Sequence, residues 1–378
     1  MSLFADEAPT DSAPTGQGRE RNRRARFGWI VLGLSLVLLG VLSAVPAPYV
    51  IEQPGPVFNV LGTTEGDDGD VPLIEVHDEQ TYDTGGTLDM LTVQLVGNPQ
   101  RSPGWLDIVS AWFDPSRAVV PMDLYFPPGV TTEQRDEQNA TLMVDSQQDS
   151  VAAALRELGY EVPEHIVVAQ IAEGAPAQGV LQLDDEIVAV DGTPVTGLAA
   201  LRDAINANGT DKSVTLDIVR GGAASTVEIT PTTATASDGT TSTVIGIGTK
   251  TTYDLPVDIT IQLDNVGGPS AGMMFALGMI DLLTPGELNG GKDVAGTGTI
   301  DADGNVGAIG GIRQKLFGAK DAGAEWFLAP ESNCDEVVGH VPDGLTVFAV
   351  KTLDDSLAAL KAIADGVDTS KLPTCSAG

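Results

Sequence analysis

The spacing of hydrophobic and polar residues changes several times along the 378-residue chain. An apolar run without a charged residue covers residues 27–45, and short alternating stretches such as LIEVH and TLDMLTVQLVG follow it, separated by Gly, Pro and Asp. Alternation with a period of two is typical of half-buried strands, and the separators are typical of turns. Residues 47–135 are therefore predicted to form a β-rich region, which the apolar run before it would place outside the cytoplasm.

Further along the chain, the spacing of hydrophobic residues first becomes that of a helix. Beyond it, stretches with helix spacing alternate with stretches with strand spacing. The stretch TTEQRDEQNATLMVDSQQDSVAAALRELG spaces Val151, Ala154 and Leu158 three and four positions apart, which predicts a helix. Beyond residue 240, strand-like stretches such as VDITIQL and LTVFAV alternate with helix-like stretches such as SAGMMFALGMIDLL. This alternation predicts an α/β (α+β) domain over residues 240–364 and a C-terminal tail over residues 365–378.

The apolar run near the N-terminus is long enough to cross a membrane. At 1.5 Å per residue, its roughly 19 residues span close to 30 Å, about the thickness of the hydrocarbon core of a bilayer. Five arginines precede it within the polar segment 1–26. Basic residues are typical of the cytoplasmic end, so we expect a disordered cytoplasmic tail at 1–26, a single transmembrane helix at 27–46 in the cell membrane and an extracytoplasmic remainder. A buried core helix and a cleaved signal peptide are the alternatives.

Acidic residues dominate the composition, with 53 Asp and Glu against 20 Lys and Arg and a net charge of −33. A surface of this sign repels phosphates, so no nucleic-acid partner is expected. The three histidines are scattered and the two cysteines form no CxxC pair, so neither a metal site nor a cofactor is predicted. Residues 286–293 have the form GxxxxGK, but Asp293 replaces the Ser or Thr that would bind magnesium, so no nucleotide is expected.

Cys334 and Cys375 are the only cysteines of the chain. A compartment outside the membrane permits disulfides, so the two are predicted to form a bridge that ties the C-terminal tail to the loop APESNCDE. The alternative is a pair of free thiols held too far apart to meet.

Ser270 lies in the stretch NVGGPSAGMMFALG, at the start of a predicted apolar helix. A serine in this position commonly caps the helix, because its hydroxyl accepts a hydrogen bond from the first turn. Small neighbours favour a nucleophile instead, since they let a substrate backbone approach the hydroxyl. Backbone N–H groups near Gly268 and Ala271 are then expected to bind the oxyanion.

A serine nucleophile needs a general base, and two residues are candidates for it. Lys315 lies beside the apolar stripe of Ile312 and Leu316 in GIRQKLFGAKDAG, where burial would keep its amine neutral. A lysine at such a position equally well extends its charged end to solvent while its stem covers the core. His340 is the other candidate, because GPSAG has the form of the GxSxG elbow of α/β-hydrolases, whose base is a downstream histidine.

Residues 136–235, including the helix that opens this segment, resemble a PDZ domain. The resemblance rests on GAPA at 174–177 ahead of a short helix, DEI at 185–187 at a strand entry and VDG at 190–192 as a hairpin turn. Asp184 stands where the family usually has Gly, and LGYEVPE is the stretch best placed to bind a peptide carboxylate. The resemblance implies a groove for an extended peptide along the helix GLAALRDAINA, and the alternative is a spacer domain.

Three motifs in order, GGPSAG, GTGTI and GAIGGIRQK, resemble the proteolytic domain of the Lon protease family. By position, Ser270 matches the nucleophile of the family, Lys315 its general base and Thr297 a threonine that supports the lysine. Gly267 departs from the family, which has Asp at this position. The resemblance implies a serine endopeptidase with a Ser–Lys dyad and a homo-oligomeric ring such as a hexamer. Because no nucleotide motif accompanies it, the activity is expected to be independent of ATP.

The order of apolar run, PDZ-like segment and Lon-like domain resembles the membrane-anchored, PDZ-containing Lon-like proteases of bacteria. This resemblance implies cleavage of extracytoplasmic polypeptides, a PDZ unit that recruits or gates them, and contact with membrane lipid through one helix. Two other functions are left open. One is a non-catalytic, membrane-tethered PDZ adaptor, and the other is an α/β-hydrolase with a Ser-His-Asp triad.

Overall fold

The computed structural model describes residues 26–37, 40, 45–66, 69–235, 239–263 and 266–376. Residues 26–37 form a helix along which large apolar side chains are exposed, Trp29 at 74% among them. Within these described ranges, no helix combines the length and the apolar character needed to cross a bilayer. The predicted tail at 1–26 and transmembrane helix at 27–46 extend over residues outside the described ranges, and both stay predictions.

The strands of the described chain are mostly short. In chain order they are β1 (Tyr49–Asn59), β2 (Thr63–Gly66), β3 (Gly69–Pro72), β4 (Ile74–His77), β5 (Thr87–Val96), β6 (Ala118–Pro121), β7 (Glu164–Ile171), β8 (Glu186–Val190), β9 (Thr193–Pro194), β10 (Val214–Arg220), β11 (Ala223–Ile229), β12 (Thr232–Thr235), β13 (Thr241–Val244), β14 (Ile247–Tyr253), β15 (Asp258–Ile261), β16 (Asp293–Gly296), β17 (Thr299–Ile300), β18 (Val306–Gly307), β19 (Trp326–Pro330) and β20 (Thr346–Val350).

The α-helices beyond residue 45 are α1 (Trp105–Trp112), α2 (Met122–Tyr125), α3 (Thr132–Glu157), α4 (Leu198–Asn208), α5 (Gly272–Leu283), α6 (Ile312–Asp321), α7 (Cys334–Val337) and α8 (Leu353–Ala364). Short 3-10 helices cover Glu331–Asn333 and Thr369–Lys371.

The chain divides into two compact units. The first comprises Met1–Gln53 and Leu95–Gly129, and the second comprises Pro54–Gln94 and Val130–Gly378. In the first unit the beginning of β1 pairs antiparallel with β6. A small core forms where Ala47 and Ile51 pack against the buried side of α1.

A sheet with the strand order β20–β19–β16–β5–β1 forms the frame of the second unit. β16 runs parallel to both β5 and β19, and β20 runs parallel to β19. β1 and β5 come from the region 47–135, which the sequence analysis kept apart from the last domain. The alternation within a strand predicts which of its faces is buried, but it does not identify a partner that lies far away in the sequence.

Helix α5 lies in the largest core, with every residue from Gly272 to Asp281 buried. A helix that is apolar on all sides needs neighbours on all sides, and α3 is one of them. The second half of α3, Val151–Leu155, is buried in the same core. Gly272 permits this close approach, because a Cβ there would lie 2.8 Å from the Ser146 hydroxyl oxygen. The sequence analysis assigned α3 to the PDZ-like segment, whereas the structure packs it beside α5.

The PDZ-like segment forms a second sheet with the order β11–β10–β8–β7–β14 and a core of its own that includes residues of α4. β14 pairs antiparallel with β7, although the sequence analysis placed this strand in the last domain. Asp184, at the usual Gly position, has a φ of 64°. Asp tolerates this left-handed conformation better than most residues, which accounts for the departure.

The C-terminal tail is held at two points. A disulfide joins Cys334, at the start of α7, to Cys375, and it closes a separation of 41 residues. The Ala349 N–H of β20 donates a hydrogen bond to the Pro373 carbonyl at 2.9 Å.

Candidate active site

Ser270 lies two residues before α5, at the end of the loop that follows β15. Its side chain stands at the rim of the buried helix and is itself half-buried. β15 ends at Ile261, so no strand leads directly into the serine as a nucleophile elbow requires. The surroundings of Ser270 therefore differ from those of an α/β-hydrolase nucleophile.

Lys315 is the side chain that meets the Ser270 hydroxyl. Its Nζ lies 2.8 Å from the Ser270 Oγ. Helix α6 buries Ile312 and Leu316 completely, and Lys315 beside them is only 2% exposed. Burial disfavours the charged ammonium and lowers the pKa of Lys315 to about 7. A substantial fraction of the amine is therefore neutral near neutral pH.

Thr297 connects the lysine to the backbone of the serine. Its Oγ1 lies 2.8 Å from Lys315 Nζ and donates a hydrogen bond to the Ser270 carbonyl at 2.9 Å. A threonine hydroxyl has a single proton, so after donating it to the carbonyl Thr297 is an acceptor toward Lys315. One N–H of the lysine is thereby directed at Thr297, and the lone pair of a neutral amine is left for the Ser270 hydroxyl.

The backbone around Ser270 presents two N–H groups in succession. The Pro269 carbonyl accepts from the Ser146 hydroxyl at 3.1 Å, and the Ser270 carbonyl accepts from Thr297 and from the Gly298 N–H. In a trans peptide the N–H points opposite to the carbonyl, so these bonds fix the directions of the N–H groups of Ser270 and Ala271. Neither of these N–H groups has an acceptor among the described residues. Both are available to an oxyanion.

Gly268 does not supply a free donor. Its N–H is donated to the Asn139 carbonyl of α3 at 3.0 Å, so the prediction that this group binds an oxyanion is wrong for the N–H of Gly268 itself. The φ of Gly268 is +90°, and a Cβ on it would meet no atom within 4 Å, so the residue leaves open space beside Ser270.

Helix α3 supplies two contacts to the loop before Ser270, through Ser146 and Asn139, and the sequence analysis missed both. Ser146 is 123 positions from Pro269 in sequence. A serine within a helix gives no sign in the sequence of which distant carbonyl it reaches. Ser146 differs from an ordinary helix serine in being only 3% exposed, and only the fold reveals this burial.

His340 does not take part in this arrangement. Its Nδ1 lies 3.2 Å from the Val338 carbonyl, and among the described residues its side chain makes no hydrogen bond to Ser270. The hypothesis of a histidine base, and with it the α/β-hydrolase, has no support in this geometry.

The PDZ-like segment contains a groove of about 850 Å³ between α4 and the stretch 242–249. Leu201 and Ile205 of α4 line one side, as the sequence predicted for this helix. The stretch LGYEVPE is not part of this lining, and its role in binding a carboxylate stays a prediction. Residues 244–248, from the end of β13 to the beginning of β14, lie along the groove instead.

Two family models match this chain. Residues 256–362 match the Lon protease (S16) C-terminal proteolytic domain, and residues 129–230 match the PDZ domain. The first range contains Ser270, Thr297 and Lys315. The chain therefore carries a Lon-type proteolytic domain together with a PDZ domain.

Individual relatives agree with the first match. The Lon protease of Geobacter metallireducens is 36% identical over 109 residues, which are 28% of this chain and 13% of the relative. Lon protease 2 of Herpetosiphon aurantiacus is 40% identical over 108 residues, 27% of this chain and 13% of the relative. The chain thus spans about an eighth of the length of these curated relatives.

A solved structure is similar to the PDZ part. The crystal structure of the PDZ domain of the SdrC-like protein from Listeria monocytogenes is 24% identical and covers 22% of this chain and 85% of that domain, with a TM-score of 0.20.

Proposed function

We propose that this protein is an ATP-independent serine endopeptidase in which Ser270 is the nucleophile and neutral Lys315 the general base. The observation that carries the proposal is the 2.8 Å distance between Ser270 Oγ and a lysine Nζ that is almost completely buried. No carboxylate of the described residues forms an ion pair with this amine. An unpaired buried amine loses its proton readily, and that is what a base for a serine hydroxyl requires.

The chemical steps follow from the hydrogen bonds of the site. The Ser270 hydroxyl gives its proton to Lys315 while Oγ attacks the carbonyl carbon of a peptide bond. The N–H groups of Ser270 and Ala271 stabilise the negative oxygen of the tetrahedral intermediate. Lys315 then protonates the leaving amine, and the same lysine activates the water that hydrolyses the acyl-enzyme. Thr297 orients the lysine throughout and does not exchange protons with the substrate.

The substrates are flexible or unfolded polypeptides, because the chain shows no nucleotide motif that would support ATP-driven unfolding. The run 27–46 anchors the protein in the membrane with the catalytic domain on the extracytoplasmic side, where the Cys334–Cys375 disulfide is stable. The groove beside α4 binds an extended segment of a polypeptide and recruits or gates substrates. Assembly into a homo-oligomeric ring is part of the proposal by resemblance to Lon proteins.

The test uses the full-length protein in phosphatidylcholine vesicles with casein, an unfolded polypeptide, and peptide products are identified by mass spectrometry. Ser270→Ala and Lys315→Ala are expected to abolish cleavage. Lys320→Ala is the matched control on the same helix, because its amine contacts the exposed Gly344 carbonyl and not the site, and it should cleave normally.

Retention of cleavage by Lys315→Ala, together with its loss in His340→Ala, would overturn the dyad in favour of a histidine base. Absence of cleavage by the unmodified protein under all conditions would favour the non-catalytic adaptor. Rapid degradation of a stably folded protein without ATP would contradict the proposed substrate class.

A further inference from the structure

The first unit has an apolar surface that the proposed catalysis does not use. Helix α1 and the residue after it expose four large side chains: Leu106 at 66%, Val109 at 41%, Trp112 at 62% and Phe113 at 85%. Leu106, Val109 and Phe113 are three and four positions apart, so they share one side of the helix, and Trp112 lies next to them. These four residues are called the aromatic face below. Soluble surfaces rarely keep such residues together without a partner.

The opposite side of α1 fixes where this face lies along the chain. Ile108 and Ala111 pack against Ala47 and Ile51 in the small core of the first unit. Ala47 follows the last residue of the apolar run, Val45, by two positions, which is at most about 7 Å of chain. A helix with its side chains is roughly 10–12 Å across. The aromatic face therefore lies within about 20 Å of the end of the run.

The apolar run itself has no cover from the protein in the described residues. Along the helix at 26–37, Phe27, Trp29 and Leu34 are each more than 60% exposed. A bilayer is the partner that such a segment fits, since it is apolar on every side. If the run ends at the surface of a bilayer, α1 is held near the lipid headgroups.

Charge and side-chain type favour the same partner. The segments 45–53 and 95–129 carry two arginines and four acidic residues, whereas the whole chain has a net charge of −33. The surface around α1 is thus less negative per residue than the chain as a whole, although Asp107 lies on α1 and Asp114 follows Phe113. Tryptophan is enriched at membrane interfaces, and phenylalanine and leucine are typical of the inserted side of interfacial helices.

We propose that α1 lies on the membrane surface with Leu106, Val109, Trp112 and Phe113 inserted among the lipid headgroups, as a second membrane contact beside the anchor. This inference rests on the membrane anchoring in the proposed function. The contact removes the freedom of the first unit to rotate about a single anchoring helix.

Tryptophan fluorescence tests the contact in the full-length protein. Of its four tryptophans, Trp29 lies in the apolar run, Trp112 on the aromatic face and Trp326 in the second unit. Variants that keep only Trp29, only Trp112 or only Trp326, with phenylalanine at the other tryptophan positions, are reconstituted into vesicles of phosphatidylcholine. Part of this lipid carries bromine on carbons 6 and 7 of one acyl chain, which quenches tryptophan at the level of the interface. Trp326 is half-buried at the start of β19 in the second unit and is the matched control. The far-UV circular dichroism of each variant, compared with that of the unmodified protein, verifies that it is folded whether or not it cleaves casein.

Trp29 and Trp112 are each expected to lose about half of their emission in brominated vesicles, since both are placed in or at the bilayer, and Trp326 should keep its emission. Quenching of Trp29 without quenching of Trp112 would overturn the present inference and leave the anchor intact. A blue-shifted but unquenched Trp112 would also overturn it, by assigning the face to a second copy of the chain. Quenching of Trp112 alone would support the surface contact and refute the anchor, and quenching of neither would refute both.

Discussion

The residues that define the site act on one another through single hydrogen bonds. Lys315 has two hydroxyl groups as polar neighbours, those of Ser270 and Thr297, each at 2.8 Å. A hydroxyl stabilises an ammonium less than a carboxylate would. Burial therefore determines the protonation state of the Lys315 amine. The chemistry of the site consequently depends on keeping water and acidic groups away from one amine.

The first prediction concerns the pH dependence of peptide cleavage. The pKa of Lys315 is lowered to about 7, and the base is active only when it is neutral, so the rate should rise with pH through about 7 and level off above. Below the midpoint the rate should fall about tenfold per pH unit. The measurement is kcat/KM for a short peptide without ionisable side chains, between pH 5 and 9.

The control for this profile is Lys320→Ala, which should leave the midpoint unchanged. Lys315→Arg should be inactive across the whole range, because a guanidinium stays protonated in proteins. A flat profile, or a midpoint near the ordinary lysine value of 10.5, would contradict a buried neutral base.

The second prediction concerns Thr297. Thr297→Val keeps the shape of the side chain but removes both the acceptor for Lys315 and the donor to the Ser270 carbonyl. We expect kcat to fall about 100-fold with little change in KM, because the dyad loses its orientation while substrate binding is kept. Thr297→Ser should restore most of the rate. Thr299→Val, two residues further along, is the matched control, and an equal loss there would argue for a general structural effect.

Three of the site residues are identifiable from the sequence because they lie in motifs with fixed spacing. Ser270, Thr297 and Lys315 each stand at a fixed place in those motifs, and the structure brings them together. Of the predicted donors to an oxyanion, the Gly268 N–H is bonded to the Asn139 carbonyl, while the role of the Ala271 N–H, which has no acceptor among the described residues, stays a prediction. Which N–H is free depends on a helix that approaches from elsewhere in the chain, and no local pattern contains that information.

At the scale of elements, α3 is a support for the loop before the nucleophile. Thr131 and Gln134 form a capping box that fixes the start of the helix. The Asn139 carbonyl of this helix accepts a hydrogen bond from the Gly268 N–H, and its Ser146 hydroxyl donates one to the Pro269 carbonyl. The second half of the helix is buried beside α5. Its apolar spacing predicts the helix correctly, and the helix lies within the PDZ match at 129–230, but only the packing reveals its contact with α5.

The third prediction follows from this support. Ser146→Ala removes the shorter of two hydrogen bonds to the Pro269 carbonyl and leaves the one from the Gly272 N–H at 3.4 Å, which loosens the peptide plane that directs the Ser270 N–H. We expect kcat to fall about tenfold with unchanged KM and an unchanged pH midpoint, because the lysine is not touched. Rescue by Ser146→Thr would confirm that the hydroxyl matters.

Ser150→Ala is a matched control for this prediction. Ser150 is buried one turn further along α3, and its hydroxyl donates to the Ser146 carbonyl within the helix at 2.5 Å. Its loss should lower stability without changing kcat. If both variants lost kcat equally, α3 would have only a structural role.

Strand partners are the part of the fold that the sequence could not provide. β1 and β5 have clear strand patterns, yet their place in the sheet of the second unit depends on pairing with strands far along the chain. β14 shows the same difficulty, since it pairs with β7 and so belongs to the PDZ sheet. In each case the periodicity predicts the strand correctly and leaves its partner open.

At the scale of the whole molecule, the disulfide is the one covalent link between distant segments in the described chain. It joins the tail to the short helix α7, whose preceding residue Asn333 holds the backbone of Ile309 with two hydrogen bonds of 2.9 Å. Ile309 lies three residues before α6, which carries Lys315. The tail thus stabilises the region from which the base extends.

The fourth prediction concerns this link. Replacing both cysteines by serine opens a loop whose ends are 41 residues apart, and the chain-entropy model assigns to such a loop about 4 kcal/mol at 25 °C. The free energy of unfolding of the second unit should decrease by up to about this amount. The measurement is the urea concentration at which cleavage activity is lost, compared with that of the oxidised protein. Activity without urea should stay within about twofold, since the bridge does not touch the dyad, and an unchanged urea midpoint would contradict the prediction.

The parallel pairing of β5 with β16 has a consequence for when the protein becomes active. Leu88 lies opposite Val294, so about two hundred residues, the whole PDZ domain among them, must be synthesised before β5 meets its partner. Pairings between such distant segments form late and slowly. The nucleophile and its base also arrive one after the other from the ribosome, Ser270 first. Under the proposed function, a chain that has not yet reached Lys315 therefore cannot cleave its neighbours, because the base of the dyad is still missing.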